Sequence, residues 1–170
     1  MSLYEKKAII SECGRYRYAL GRTWTRGAAR VTWIMLNPST ADDQDDDATI
    51  RRCAGYARRW GFGGIDVVNL YAWRATDWRE LLTAVDPIGP LCNDTIRAAA
   101  ALSSVTVCAW GNHPADVAAH TGRDRVREVL ALVARERLHV LATTKKGHPH
   151  HPLRLPASLA PAPFRPEVAS

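Results

Sequence analysis

The chain has 170 residues, 46% hydrophobic and 24% charged, the composition of an ordinary globular protein, long enough for one domain with a real core rather than two domains. Lys and Arg number 23 against 17 Asp and Glu, a net charge of +6 that suits a polyanionic partner, with nucleic acid first, or equally the many Arg codons of a high-GC genome. The four cysteines, Cys13, Cys53, Cys92 and Cys108, contain no C-x-x-C pair, which argues against a zinc ribbon. Met1 to Lys7 leads into no apolar segment of signal-peptide or membrane length, so a cytoplasmic monomer with reduced thiols and no membrane partner is expected.

In chain order, Tyr16–Leu20 and Arg30–Leu36 are predicted to form a hairpin turned through Gly21 to Gly27. Val31 to Leu36 is almost wholly apolar or β-branched and reads as an interior strand, ended by Pro38, which cannot donate to a ladder. An acidic loop holding Asp42, Asp43, Asp45, Asp46 and Asp47 precedes a helix from about Ala48 to Trp60. Its acidic start and its basic end at Arg58 and Arg59 both suit the helix dipole. Ile50, Cys53, Ala54, Ala57 and Trp60 share one face of it. Gly61, Gly63 and Gly64 stop the helix, and Ile65–Leu70 forms the next interior strand. A short helix at Trp78–Val85, a turn at Asp86–Pro90 and a helix capped by Asn93 or Asp94 lead to the strand Val105–Ala109. The stretch from Asp124 or Arg125 to Arg137 is amphipathic, and Leu138–Ala142 is the last strand. Residues 154–170 are a Pro/Ala-rich extended tail. Strands alternating with helices predict a single α/β domain, a three-layer α/β/α sandwich on a central, largely parallel sheet of four to five strands.

Short motifs follow these strands, and ligands of open α/β sheets bind outside the carboxyl ends of the strands. Asn37, in Met35-Leu36-Asn37-Pro38-Ser39, can hold a water through its amide oxygen, or can simply cap the turn. Asn69 closes an otherwise apolar strand, and its paired donor and acceptor match the edge of a nucleobase, though a strand-end bracket would use the same amide. His148, His150 and His151 lie in a Pro-punctuated loop, where a histidine can donate to a departing base or hold a phosphate. Pro149 and Pro152 make chelation by neighbouring imidazoles awkward, so no metal is expected. Lys145 and Lys146 can meet a phosphate or remain solvated surface. Trp73, Trp78 and Trp110 can stack on a base or fill the core. The aspartates from Asp42 to Asp47 can introduce the helix or, with the histidines, bind a divalent ion.

Together the motifs resemble the uracil-DNA glycosylase superfamily. Leu36-Asn37-Pro38-Ser39 is similar to its water-holding motif, Val67-Val68-Asn69-Leu70 to its base-reading strand, Val107 to Gly111 to its third strand, and Gly147 to Leu153 to its His-Pro loop. A closer resemblance is to a bacterial and phage family of unknown function with Met-Leu-Asn-Pro-Ser-Thr-Ala-Asp and Gly-His-Pro-x-His-Pro-Leu motifs, matched at Met35–Asp42, Thr49–Arg52, Asn69–Thr76 and Gly147–Leu153. The superfamily resemblance implies a base N-glycosylase, without cofactor, acting on DNA more readily than RNA. It implies Asn37, His148 and His151 as catalytic residues and Asn69, Tyr71, Ser39 and Trp110 around the base. Lys145, Lys146, His150 and Arg74 would then meet the nucleic-acid backbone. The chain departs from the pattern in lacking the leading Gly before Leu36, in placing Ser39 where Gly is common, and in a final loop one residue longer, so that His148 (slightly favoured) or His151 takes the catalytic place. Cys92 falls near an iron–sulfur ligand position of some members, but without a close cysteine pair no cluster is expected. Two other readings remain open: a metal-dependent phosphodiesterase built on Asp42–Asp47, and a nucleotide- or nucleic-acid-binding module without catalysis.

Overall fold

The computed structural model describes residues 5–40 and 45–166. Its sheet is mixed, with strand order β1-β2-β4-β3-β5-β6-β7. The central four, β3 (Arg30–Met35), β4 (Gly64–Asn69), β5 (Val105–Cys108) and β6 (Leu138–Val140), run parallel. Flanking them antiparallel are β2 (Arg17–Thr23), which pairs with β1 (Glu5–Ile10), and at the other edge β7 (Ala162–Pro163). Seven strands therefore replace the expected four to five.

The apolar runs of β3 and β4 are buried on both faces, as interior parallel strands require. Along β3, Val31, Trp33 and Met35 enter one core with Ile65 and Val67 of β4. Against them packs helix α1 (Ala48–Arg59) through Ile50, Cys53, Ala54, Tyr56 and Ala57. The alternate residues Ile34 and Val68 face the second core. That core takes Ile96 and Ala100 from α2 (Cys92–Leu102), Val117 from α3 (His113–Thr121) and Val129 from α4 (Arg125–Leu130). Among the described residues, no helix is long and apolar enough to cross a membrane.

Several expectations change. The predicted hairpin between the second and third strands does not form, because β4 lies between them. As an interior strand β3 has a parallel neighbour at each edge, β4 and β5. Arg30 fixes this order: its guanidinium donates to Asp66 on β4 at 2.7 and 2.8 Å and to Thr23 Oγ1 on β2 at 2.6 Å. The Trp78–Val85 helix is a 3-10 turn ending at Leu82. The long amphipathic helix stops at Leu130, with a separate 3-10 turn at Arg135–Arg137. Helix α2 starts at Cys92, with Leu91 at its N-cap and no side-chain cap from Asn93 or Asp94. Part of the expected extended tail adds β7 to the sheet.

Candidate functional site

Parallel strands deliver their carboxyl ends to one edge, and the ladder there continues beyond the strands. Leu70 N–H donates to Met35 O at 2.8 Å and Ala109 N–H to Ile34 O at 2.8 Å. Asn37 follows β3 by two residues. Its amide nitrogen donates to the carbonyls of Ala75 at 2.9 Å and Pro38 at 3.2 Å. Two carbonyl acceptors fix which way the amide is turned, since only NH₂ can face them. The Asn37 oxygen consequently points away from that pair, and it accepts no hydrogen bond from the described residues. Ala75 N–H returns a bond to Pro38 O at 2.9 Å, and the hydroxyls of Thr40 and Thr76 meet at 2.8 Å. The Asn-Pro-Ser loop is thereby stapled along the segment that follows β4.

Asn69 is the last residue of β4 and pairs in register with Met35. Strand alternation puts its side chain on the α1 side of the sheet with Ile65 and Val67. It is only 4% exposed, yet neither side-chain amide atom bonds to another described residue.

The histidine loop crosses this edge from one face of the sheet to the other. It is anchored by Gly111 N–H to Pro149 O at 2.8 Å, His150 N–H to Ala142 O at 2.9 Å, and Thr144 Oγ1 to Asn112 Oδ1 at 2.8 Å. His148 faces a cleft between α4 and β6–β7 on the side away from α1. His151 lies on the α1 side: it feels the charge of Asp47, and the turn it opens, Pro152–Arg154, packs on α1. Leu153 N–H donates to His151 Nδ1 at 3.3 Å, so in the neutral ring Nε2 carries the proton. Burial, and next the neighbouring His150, hold its pKa below the usual histidine value. His150 itself donates from Nδ1 to the His151 carbonyl at 2.9 Å.

The other expected site residues divide. Ser39 is half-buried beside Asn37. Tyr71 turns into the opposite core, where its hydroxyl is buried without a partner among the described residues and burial pushes its pKa up to about 12. Trp110 also enters that core, 2% exposed, with its indole N–H unpartnered among the described residues and Phe164 edge-on at 6.4 Å. Arg74 donates to Gly14 O at 3.1 Å, bracing a distant turn. Lys145 and Lys146 are exposed on a turn closed by Gly147 N–H to Thr144 O at 2.9 Å. Trp73 and Trp78 are engaged by Tyr16 and His113, the second pair stacked at 4.4 Å.

The acidic loop has structural partners. Asp46 pairs at 2.7 Å with Arg22, whose side chain is fully buried, and Asp47 caps α1 by accepting from Ile50 N–H at 2.8 Å. Asp42 and Asp43 lie outside the described residues. Among the described residues, no group of three or more His, Cys, Asp or Glu could hold a metal.

Arg125, which the sequence does not single out, is 1% exposed and donates to Leu70 O at 2.7 Å and Glu128 at 3.1 Å, locking the segment after Asn69 to α4. Its i,i+3 spacing to Glu128 is the one signal the sequence offers, and such pairs are common on solvated helices.

No curated protein and no solved structure matches the chain. A family model matches residues 17–153, from the start of β2 through the histidine loop, and with that span the chain belongs to the family described as protein of unknown function DUF1643.

Proposed function

We propose that the protein is a nucleic-acid base N-glycosylase whose pocket lies on the α1 side of the strand ends, between Asn37, Asn69 and His151. With α1 on one face and α2–α4 on the other, the architecture is read as the three-layer sandwich of the uracil-DNA glycosylase superfamily. The observation that carries the proposal is the Asn37 amide. Its nitrogen is committed to two backbone carbonyls, and its oxygen is left to a ligand or water.

Hydrolysis of an N-glycosidic bond develops positive charge on the sugar and negative charge on the departing base. Asn37 Oδ1 accepts a hydrogen bond from the attacking water and directs it at the anomeric carbon. An amide is too weak a base to remove the proton early, so the C–N bond breaks first, its electron pair leaving with the base, and water adds to the oxocarbenium-like sugar; its surplus proton then passes to bulk solvent. Asn69 offers the flipped base one donor and one acceptor. His151, neutral with its proton on Nε2, donates to the base as negative charge grows there. His148, on the other face, is left out of this step, so this reading takes His151 rather than His148 as the catalytic histidine. The phosphodiesterase reading is less favoured, because Asp46 and Asp47 already serve Arg22 and α1.

The test is base release from single- and double-stranded oligonucleotides carrying deaminated and modified bases, read as alkali-labile sites, with and without EDTA. Release that persists in EDTA and falls at least about 100-fold in Asn37→Ala supports the proposal, such a fall being typical when a catalytic hydrogen-bonding group is removed. Strand cleavage abolished by EDTA would favour the phosphodiesterase. Binding without turnover, unchanged by Asn37→Ala, would favour a binding module.

A further inference from the structure

On the face of the sheet away from the proposed pocket, a cleft of about 820 Å³ opens between α4 and β6–β7. This volume is in the range of ligand sites. Its walls are apolar, including Val126, Leu130, Phe164 and Pro149, and its rim carries Arg127, Arg135 and Arg165, with Asp124 the one acidic side chain among its described lining residues. Asp124 accepts from Arg127 N–H at 3.0 Å as the cap of α4, so its carboxylate is partly engaged. Arg127 and Arg135 are exposed, and neither guanidinium has a partner among the described residues. His148 also lines the cleft, and the exposed Lys145 and Lys146 lie on the turn just before it.

We propose that this cleft holds a single-stranded nucleic-acid segment, its bases against the apolar wall and its phosphates on Arg127 and Arg135. The charge argues for this occupant. Unpaired arginines around an apolar groove suit a polyanion that also carries flat apolar rings, and a strand is such a molecule. The histidine loop begins in this cleft at His148 and ends across the strand edge at His151. One strand following the loop can therefore occupy the cleft while presenting a base to the opposite face. In that use the inference rests on the proposed function, but the binding itself does not depend on catalysis.

The experiment measures fluorescence anisotropy of a labelled single-stranded 12-mer against salt for the wild type, Arg127→Gln/Arg135→Gln, and the control pair Arg26→Gln/Arg97→Gln. Both pairs remove the same charge from exposed positions, and circular dichroism checks that each folds. Removing one arginine–phosphate pair reduces the slope of log K against log salt by about 0.7. The cleft pair is expected to lower the slope by about 1.4, twice that value, while the control pair stays near the wild type. An equal drop in both pairs would mean only net charge acts, and would overturn the proposal. No drop in the cleft pair would also overturn it, leaving the groove to a protein segment, as would no binding by the wild type at low salt. Base release is scored separately on the same samples. A wild type that binds with the expected slopes but releases no base fails the glycosylase reading while upholding the cleft.

Discussion

Asn69 poses the clearest energetic question at the scale of single residues. A buried amide without a partner costs about 1–3 kcal/mol in desolvation, and an apolar residue of similar shape removes that cost. Asn69 is 4% exposed with both amide atoms unmatched among the described residues. Its amide atoms are not fully cut off from solvent, so Asn69→Leu is expected to change stability by no more than about 1 kcal/mol, seen as a little-changed urea midpoint at unchanged m. The same variant should lose base release. An Asn69→Leu destabilised beyond that would show that the amide holds the strand end and reads nothing. The residue identities at this edge are legible in the sequence, because an Asn closing an apolar strand is conspicuous. Their facing is not. Tyr71, two residues further on, turns into the opposite core, and the irregular chain after β4 carries no periodicity from which that could be read.

Among elements, α1 is legible because its i,i+3/i,i+4 stripe admits one periodic reading, and the interior strands because their apolar, β-branched runs bounded by Gly or Pro are too short for a buried helix. Strand β1 is not: at the sheet edge its residues are nearly all exposed, so Glu5-Lys6-Lys7 shows no buried face. Helix α3 is hidden behind Gly111-Asn112-His113-Pro114, which reads as a turn although Pro114 sits in its first turn, where proline is tolerated. The end of α4 at Leu130 is hidden too, since Val133 is buried whether the helix continues or turns. The acidic loop gives an element-scale prediction that separates helix entry from metal binding. Asp46 partners the buried Arg22, Asp47 caps α1, and Asp45 is exposed. Asp46→Ala is expected to cost the most, about 2 kcal/mol, since it removes one charged hydrogen-bond acceptor of the buried Arg22. Asp47→Ala should cost about 1 kcal/mol, as for removal of a cap, and Asp45→Ala almost nothing. Urea unfolding of the three variants checks the order. Equal stabilities, with activity abolished in all three, would instead mark a metal cluster.

For the whole molecule, one consequence of four parallel strands is that every connection after a strand meets at the same edge, which is why motifs scattered from Asn37 to His151 are brought together. The histidine loop then joins the two faces, and its dependence on pH can be worked out. His151 has its pKa lowered in the fold, first by burial, so the folded chain favours the neutral ring more than the unfolded chain does. Above the unfolded value of about 6.5 neither state binds a proton there and this contribution is complete. As pH falls below that value the unfolded chain takes up the proton first, and stability declines until the folded ring is protonated as well. Protonation also places a hydrogen on Nδ1, which then opposes the donating N–H of Leu153. Unfolding midpoints measured from pH 8 to pH 5 should therefore fall on the acid side of about 6.5, and fall less in His151→Asn, whose side-chain oxygen can still accept from Leu153. His148→Asn serves as the comparison, since that ring faces the opposite cleft and makes no bond to the turn after the loop. A wild-type profile matched by His151→Asn would overturn the assignment of this acid sensitivity to His151.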